Sequence, residues 1–241
     1  MKEKTRAVVL HLQRCAEDKA VVTLYTEKRG VLAFLTKMSR RKHSGMHSTL
    51  LRVLNILDIT YEFRPKSKLQ KFDDIQVAIP FHSFPYDPIK GTVALFLGEV
   101  LYLSLRNEVK NEPLFQYLCY GLAWLDNCHR GTANFHLVFL LRMTRFLGFW
   151  PYEEEWFPGA YYDLRLCCYT KMQPAAGTFL HPEEAALLPV ILRMDFLNMH
   201  LFAFNHTQRQ QFLDAIMRYY HLHIPEFPEH KSAQILREVL G

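Results

Sequence analysis

The segment Lys37-Met38-Ser39-Arg40-Arg41-Lys42-His43-Ser44 carries four fixed positive charges in eight residues, and no acidic residue stands between Lys28 and Asp58. The chemistry open to such a run is phosphate neutralisation. Lysine and arginine displace the counterions of a polyanion, and hydroxyls such as Ser39, Ser44 and Ser48 add neutral donors. Read by itself, the run is equally a solvated charged loop. Around it, however, Arg14, Lys28, Arg29, Arg64, Lys66 and Lys68, together with Lys19 and Lys71, fall in turns or at strand ends of the same short segment. That concentration assigns nucleic-acid contact to Arg14, Lys28, Arg29, Lys37, Arg40, Arg41, Lys42, Arg64, Lys66 and Lys68. The few aromatics nearby, Tyr25, Phe34 and Tyr61, sit in alternating patterns that predict core positions, so backbone electrostatics should dominate over base stacking.

Other chemistry finds less support. There is no Gly-x-x-x-x-Gly-Lys phosphate loop, no Gly-x-Gly-x-x-Gly, no His-Glu-x-x-His and no Gly-x-Ser-x-Gly, so no enzyme is expected. The five cysteines are scattered, which reads as free thiols in a reducing compartment. Cys167 and Cys168 are adjacent, and neighbouring thiolates do not chelate one tetrahedral ion well, so no metal and no cofactor are expected. Glu153-Glu154-Glu155 reads as a solvated acidic face. Arg142 and Arg145 interrupt an otherwise apolar helical stretch. They either snorkel to the surface or form a basic lip on an apolar groove suited to an acidic, hydrophobic peptide tail.

The elements that must position these residues divide in two. Residues 1–80 hold 16 Lys and Arg against 8 Asp and Glu, while residues 81–241 hold 13 against 16, so the whole-chain charge of +5 conceals a basic first third. Pro80, Pro85 and Pro88 mark the boundary, which is set near Phe81. Before it, Thr5–Arg14, Lys19–Thr26, Gly30–Lys37, Leu50–Arg64 and Lys68–Ile79 read as strands, with turns at Glu17-Asp18 and Lys28-Arg29-Gly30. Five strands with a polar excursion after the third suit an OB-fold β-barrel, among other small barrels. After it, Pro88–Arg106, Glu112–Asn127, Asn134–Leu147, Pro182–Met194, a segment from Thr207 to about Tyr220 and a last one near Glu229–Leu240 read as helices. An irregular insertion covers about 151–181. The expected fold is α+β and multidomain, with a five-stranded OB-fold β-barrel at 1–80 and an all-α helical domain at 81–241. No secretory pattern opens the chain, and the apolar stretch Thr92–Leu105 is short for a bilayer and contains Glu99, so no membrane segment is expected.

Several short motifs, in order, resemble bacterial RecO DNA-repair proteins. They are Arg6-Ala-Val-Val-Leu-His11, Glu17, Leu24-Tyr-Thr-Glu27 with Gly30, then Lys37 with Arg40-Arg41-Lys42 and Ser44. Further on come Phe96-Leu-Gly-Glu99-Val-Leu, Glu112-Pro-Leu-Phe115, Phe135-x-Leu-x-x-Leu-Leu141, Gly148-Phe149-x-Pro151, Tyr162-Asp-Leu-Arg165 and Phe179-x-His181-Pro. The resemblance covers most of the chain. It implies a cytoplasmic, nucleoid-associated recombination mediator without catalytic residues. Such a protein binds single- and double-stranded DNA, anneals complementary strands and, with RecR, helps RecA replace single-strand-binding protein (SSB). It also implies contact with the acidic C-terminal tail of SSB. The chain departs from the family at two places. Many relatives carry a four-cysteine zinc motif within Pro151–Phe179 where only Cys167-Cys168 stand here, and Met38 occupies a position often held by Gly. An RNA-binding OB protein is the main alternative, and a metal-assisted enzyme built on Pro151–His181 is a more distant one.

Overall fold

The computed structural model of the chain describes residues 2–37, 49–83, 86–151, 156–227 and 236. Its N-terminal part is a five-stranded antiparallel sheet of β1 (Lys2–Ala16), β2 (Lys19–Thr26), β3 (Gly30–Lys37), β4 (Ile56–Glu62) and β5 (Phe72–Ile79), in the order β3-β2-β1-β4-β5. The long β1 serves two partners. Its N-terminal half pairs with β4, from Lys2↔Glu62 to Val8↔Ile56, and its C-terminal half pairs with β2, from Ala7↔Thr26 to Ala16↔Lys19. Register shifts at Val9/His11 and Arg14/Ala16 bend the strand between them. One face of the sheet buries Ala7, Val9, Val22, Leu24, Phe34, Leu57, Ile59 and Tyr61. Val8 and Leu10 are buried as well, so Ala7–Leu10 is covered on both faces and reads as a continuous apolar run.

The expected barrel is not closed. Among the described residues β5 pairs with β4 alone, and the two sheet edges meet through an isolated parallel bridge between Phe34 of β3 and Gln70 and through the Phe34 ring, which stacks 4.3 Å from that of Phe72 on β5. Gln70 precedes β5, so the backbone bridge ends before the strand itself begins. The expected strand Leu50–Arg64 also shortens. Residues Arg52–Asn55 form a turn, Leu54 has φ 69°, and the Asn55 side-chain amide donates to the carbonyls of Thr49 and Leu50. Leu51 and Leu54 are apolar because this turn is buried, not because it is extended.

Two helices, α1 (Pro88–Leu105) and α2 (Glu112–Asn127), belong to the same compact unit as the sheet, which takes in Met1–Asn127. The strands end at Ile79 and the helices begin at Pro88, and the compact unit runs on past both. Asp87 caps α1 by accepting from the amides of Ile89 and Lys90, with Pro88 at the first turn. α1 is long and apolar enough, by length and composition, to cross a membrane, yet Val93, Phe96, Leu97, Val100, Leu101 and Leu105 are all fully buried in the fold. His11 stacks on Tyr102 with ring centroids 4.4 Å apart, and the Gln116 amide donates to Glu27, which also holds Arg6. Gly30 has φ +73°, and a Cβ there would lie 2.5 Å from the Glu108 carbonyl oxygen, so only glycine fits between the β2–β3 turn and the α1–α2 connection.

The second compact unit takes in Cys128–Glu229. It contains α3 (Thr132–Leu147), a small sheet of β6 (Tyr161–Asp163), β7 (Cys168–Thr170) and β8 (Phe179–Leu180), short helices α4 (Pro182–Ala185) and α5 (Leu188–Leu192), a 3-10 turn at Met199–Leu201, and α6 (His206–His223). α3 is buried along most of its length, as its apolar pattern predicts, and ends at Gly148 with φ +86°. The insertion at 151–181 is more regular than expected, with strand order β7-β6-β8. The helix expected over Pro182–Met194 breaks in two, and Pro189, which has no amide hydrogen to bond an earlier carbonyl, sits in the first turn of α5. α6 is capped by Asn205 and Gln208 in a reciprocal pair, earlier than the expected Thr207. The helix expected near Glu229–Leu240 lies outside the described residues, Leu236 excepted.

Candidate nucleic-acid interface

Several basic residues of the first unit lie at the ends of edge strand β3 or in the connection tied to it. At the C-terminal end of β3, Lys37 is the cross-strand partner of Lys19, and the exposed Arg14 pairs with Ala20, the residue after Lys19. Arg14, Lys19 and Lys37 are exposed and make no ion pair among the described residues. Two ammonium groups held opposite each other repel, and a bound phosphate relieves that repulsion. Arg40, Arg41 and Lys42 follow directly in sequence and lie outside the described residues.

Lys28 and Arg29 occupy the β2–β3 turn at the other end of β3, whose Gly30 is seven residue steps or roughly 23 Å from Lys37. Their situations differ. Lys28 is exposed. Arg29 donates through Nε and Nη2 to the Glu3 carboxylate at 3.1 and 2.9 Å and stacks 3.7 Å over the Phe63 ring. Burial would raise the Glu3 carboxyl, but hydrogen bonds from Arg29 and from the Tyr61 hydroxyl outweigh it and hold Glu3 below the usual carboxylate range. Glu3 thus keeps its charge and occupies Arg29, leaving little of that guanidinium for a phosphate.

Between these ends runs the β4–β5 connection with Arg64, Lys66 and Lys68, all exposed. Arg64 contacts Glu62 at 3.2 Å, a pair that is more than half exposed on both sides and correspondingly weak. Lys66, Lys68 and Lys71 make no ion pair among the described residues. The connection is tied to β3 by Gln70, whose amide donates to the Ala33 carbonyl at 2.8 Å and whose carbonyl accepts from Leu35 at 3.0 Å. The result is a track along β3 long enough for several consecutive phosphates. Tyr25, Phe34 and Tyr61 are fully buried and offer no ring to a base. Glu3, Phe63 and Gln70 shape the track and carry no signal of it in the sequence.

In the second unit, Arg142 and Arg145 part company. Arg142 is half-buried and its Nε donates to the Met194 carbonyl at 2.8 Å. Arg145 is exposed and lies 3.9 Å over the Trp150 ring. Four residues before Arg145, on the same helical face, Leu141 lines an apolar cavity of about 230 Å³ that Pro151, Tyr162, Phe212 and Ile216 also line, with Glu183 and Gln211 at its polar side. Cys167 sits with φ 57°, its Sγ 2.9 Å from the Tyr219 hydroxyl and 3.8 Å from Nε2 of His223. Among the described residues no three His, Cys, Asp or Glu side chains gather as a metal site would require.

Residues 1–81 match the family model described as "Recombination protein O N terminal", and residues 85–233 match "Recombination protein O C terminal". The chain is 38% identical over 241 residues, covering 100% of both chains, to the DNA repair protein RecO of Phocaeicola vulgatus. It is 39% identical over 240 residues to its counterpart in Bacteroides fragilis, covering 99% of both, and 33% identical over 243 residues to that of Flavobacterium johnsoniae, covering 100% of both. With both halves matched and relatives of this identity aligned end to end, the chain belongs to the RecO family of DNA repair and recombination proteins.

Proposed function

We propose that this protein binds single- and double-stranded DNA along the β3 track, anneals complementary strands and, with RecR, promotes RecA loading onto SSB-coated DNA in the cytoplasm, without catalysis of its own. The observation that carries the reading is the exposed Lys19–Lys37 pair continued by Lys66 and Lys68, a row of cations with no acid matched to them among the described residues. Charge neutralisation on two strands lowers their mutual repulsion and lets them pair. The strand order, with the Phe34–Gln70 bridge drawing the sheet edges together, supports an OB-type nucleic-acid scaffold. RecR and SSB as partners rest on membership of the family. Strand annealing measured on SSB-coated complementary oligonucleotides tests the reading. Wild type is expected to accelerate annealing, with a rate that falls steeply as salt rises. No acceleration, or tighter binding to RNA than to DNA of the same sequence, overturns it in favour of an RNA-binding role.

The second unit supports a contact with the acidic SSB tail. Arg145 is exposed one helical turn along α3 from Leu141, which lines an apolar cavity, and a cation near a pocket is the combination that an acidic, hydrophobic segment requires. Titration of an SSB-tail peptide is expected to show weaker binding by Arg145→Ala and a smaller effect of Arg142→Ala, whose Nε is committed to Met194. Equal affinity for wild type and Arg145→Ala removes Arg145 from the site.

A further inference from the structure

Gln70 is 3% exposed, although it lies between exposed lysines in the most basic connection of the sheet. Its side chain is fully employed on the connection itself. Oε1 accepts from the Arg64 amide at 2.9 Å, and Nε2 donates to the Arg64 carbonyl at 3.1 Å and the Ser67 carbonyl at 2.9 Å. The Ser67 amide donates back to the Arg64 carbonyl at 3.0 Å, and the Ser67 hydroxyl donates to the Leu69 carbonyl at 2.6 Å. The loop is therefore closed from inside by one buried amide, while the Gln70 backbone fastens it to β3 at Ala33 and Leu35. A buried polar side chain whose bonds all go to the backbone of its own loop fixes that loop's shape.

We propose that Gln70 is a positioning residue for nucleic-acid contact. It holds Arg64, Lys66 and Lys68 as a preformed array beside β3, so that a phosphate backbone meets charges whose backbone is already ordered. The inference rests on the DNA-binding reading of the β3 track. Its physical basis is that ordering a loop on binding subtracts from affinity, and a loop ordered in advance avoids that cost. No bond is made or broken in this role.

The test is a double-mutant cycle on the full chain, reading the affinity for single-stranded DNA and its salt dependence. Lys66→Ala/Lys68→Ala is expected to weaken binding and to flatten the salt slope by about two. Gln70→Met keeps the length of the side chain and removes its hydrogen bonds. It is expected to weaken binding roughly three- to tenfold in the wild-type background and to have no further effect in the Lys66→Ala/Lys68→Ala background. Ser67→Gly, an exposed change that loosens the same loop without altering charge, is expected to act in the same direction and remains informative if Gln70→Met folds poorly. Equal losses from Gln70→Met in both backgrounds, or unchanged affinity of both Gln70→Met and Ser67→Gly, overturn the positioning role while leaving the track intact. An unchanged salt slope for Lys66→Ala/Lys68→Ala overturns the DNA-binding reading of this loop and the positioning role with it.

Discussion

The ammonium of Lys90 donates to the backbone carbonyl of Asp126 at 2.7 Å, with the two residues only 4% and 5% exposed. Lys90 also donates to the Ser83 hydroxyl at 2.7 Å, that hydroxyl donates to the Asp126 carbonyl, and the Asp126 carboxylate accepts from the amides of His82 and Ser83 at 2.9 and 2.8 Å. The chain leaving the sheet is thus knotted to the start of α1 and the end of α2. Lys90→Met fills the space but removes the charge and its bonds. It should destabilise the protein by about 2–4 kcal/mol in urea unfolding while leaving the salt slope of DNA binding unchanged. Asp126→Asn, which keeps an acceptor for one of the two amides and turns an NH2 donor toward the other, should destabilise as well.

Gly98 on α1 faces Val53 so closely that a Cβ would overlap its Cγ1. Gly98→Ala is expected to destabilise by about 1–3 kcal/mol, although alanine is the better helix former. Shortening the opposing residue in Gly98→Ala/Val53→Ala should recover part of that loss. Thermal melts of the three variants decide it, and additive losses would show that the strain lies elsewhere.

Lys37 and Arg29 carry the same charge and should contribute unequally. Lys37 is unmatched among the described residues, whereas Arg29 is bound to Glu3. Lys19→Ala/Lys37→Ala should lower DNA affinity and flatten the log K against log salt slope by about two. Arg29→Ala should change either quantity little, while releasing Glu3 from its partner. Fluorescence anisotropy across a salt series measures both, and equal effects would mean that Glu3 gives up Arg29 when DNA binds.

His136 in α3 is 2% exposed, and burial, aided by the positive charge of Arg209, pushes its imidazole down to about 3. The unfolded chain takes up a proton near the ordinary histidine range of about 6.5, which the folded chain refuses. This contribution to stability is complete above that range and is lost as pH falls toward 3, at up to about 1.4 kcal/mol per pH unit. In urea unfolding between about pH 7 and pH 5, His136→Leu should show a shallower decline than wild type. Parallel declines would assign the acid sensitivity to other groups.

Much of the framework was legible in the sequence, for reasons that are local. β2, β3 and α2 occupy the expected residues because β-branched runs, the Lys28-Arg29-Gly30 turn and the first-turn Pro113 act over a few residues. Where alternation ran on past the strand the reading failed, as at Leu51 and Val53, whose period-two spacing extended the expected strand back to Leu50, while the chain before β4 turns and buries Leu51 and Leu54.

The sequence by itself determined that the first third of the chain is strongly basic and built of strands, because composition and alternation need no partner to be read. Only the tertiary structure decided which charges are available. Glu3 reaches Arg29 across 26 positions, while Lys19 and Lys37 face each other with no acid between them. Tertiary structure also decided that the sheet stays open, its edges joined by the Phe34–Gln70 bridge and the Phe34–Phe72 stack, and that compaction runs on to Asn127. Hydrogen bonds and ion pairs between residues distant in sequence depend on where the fold brings the chain back beside itself, and no local spacing encodes that.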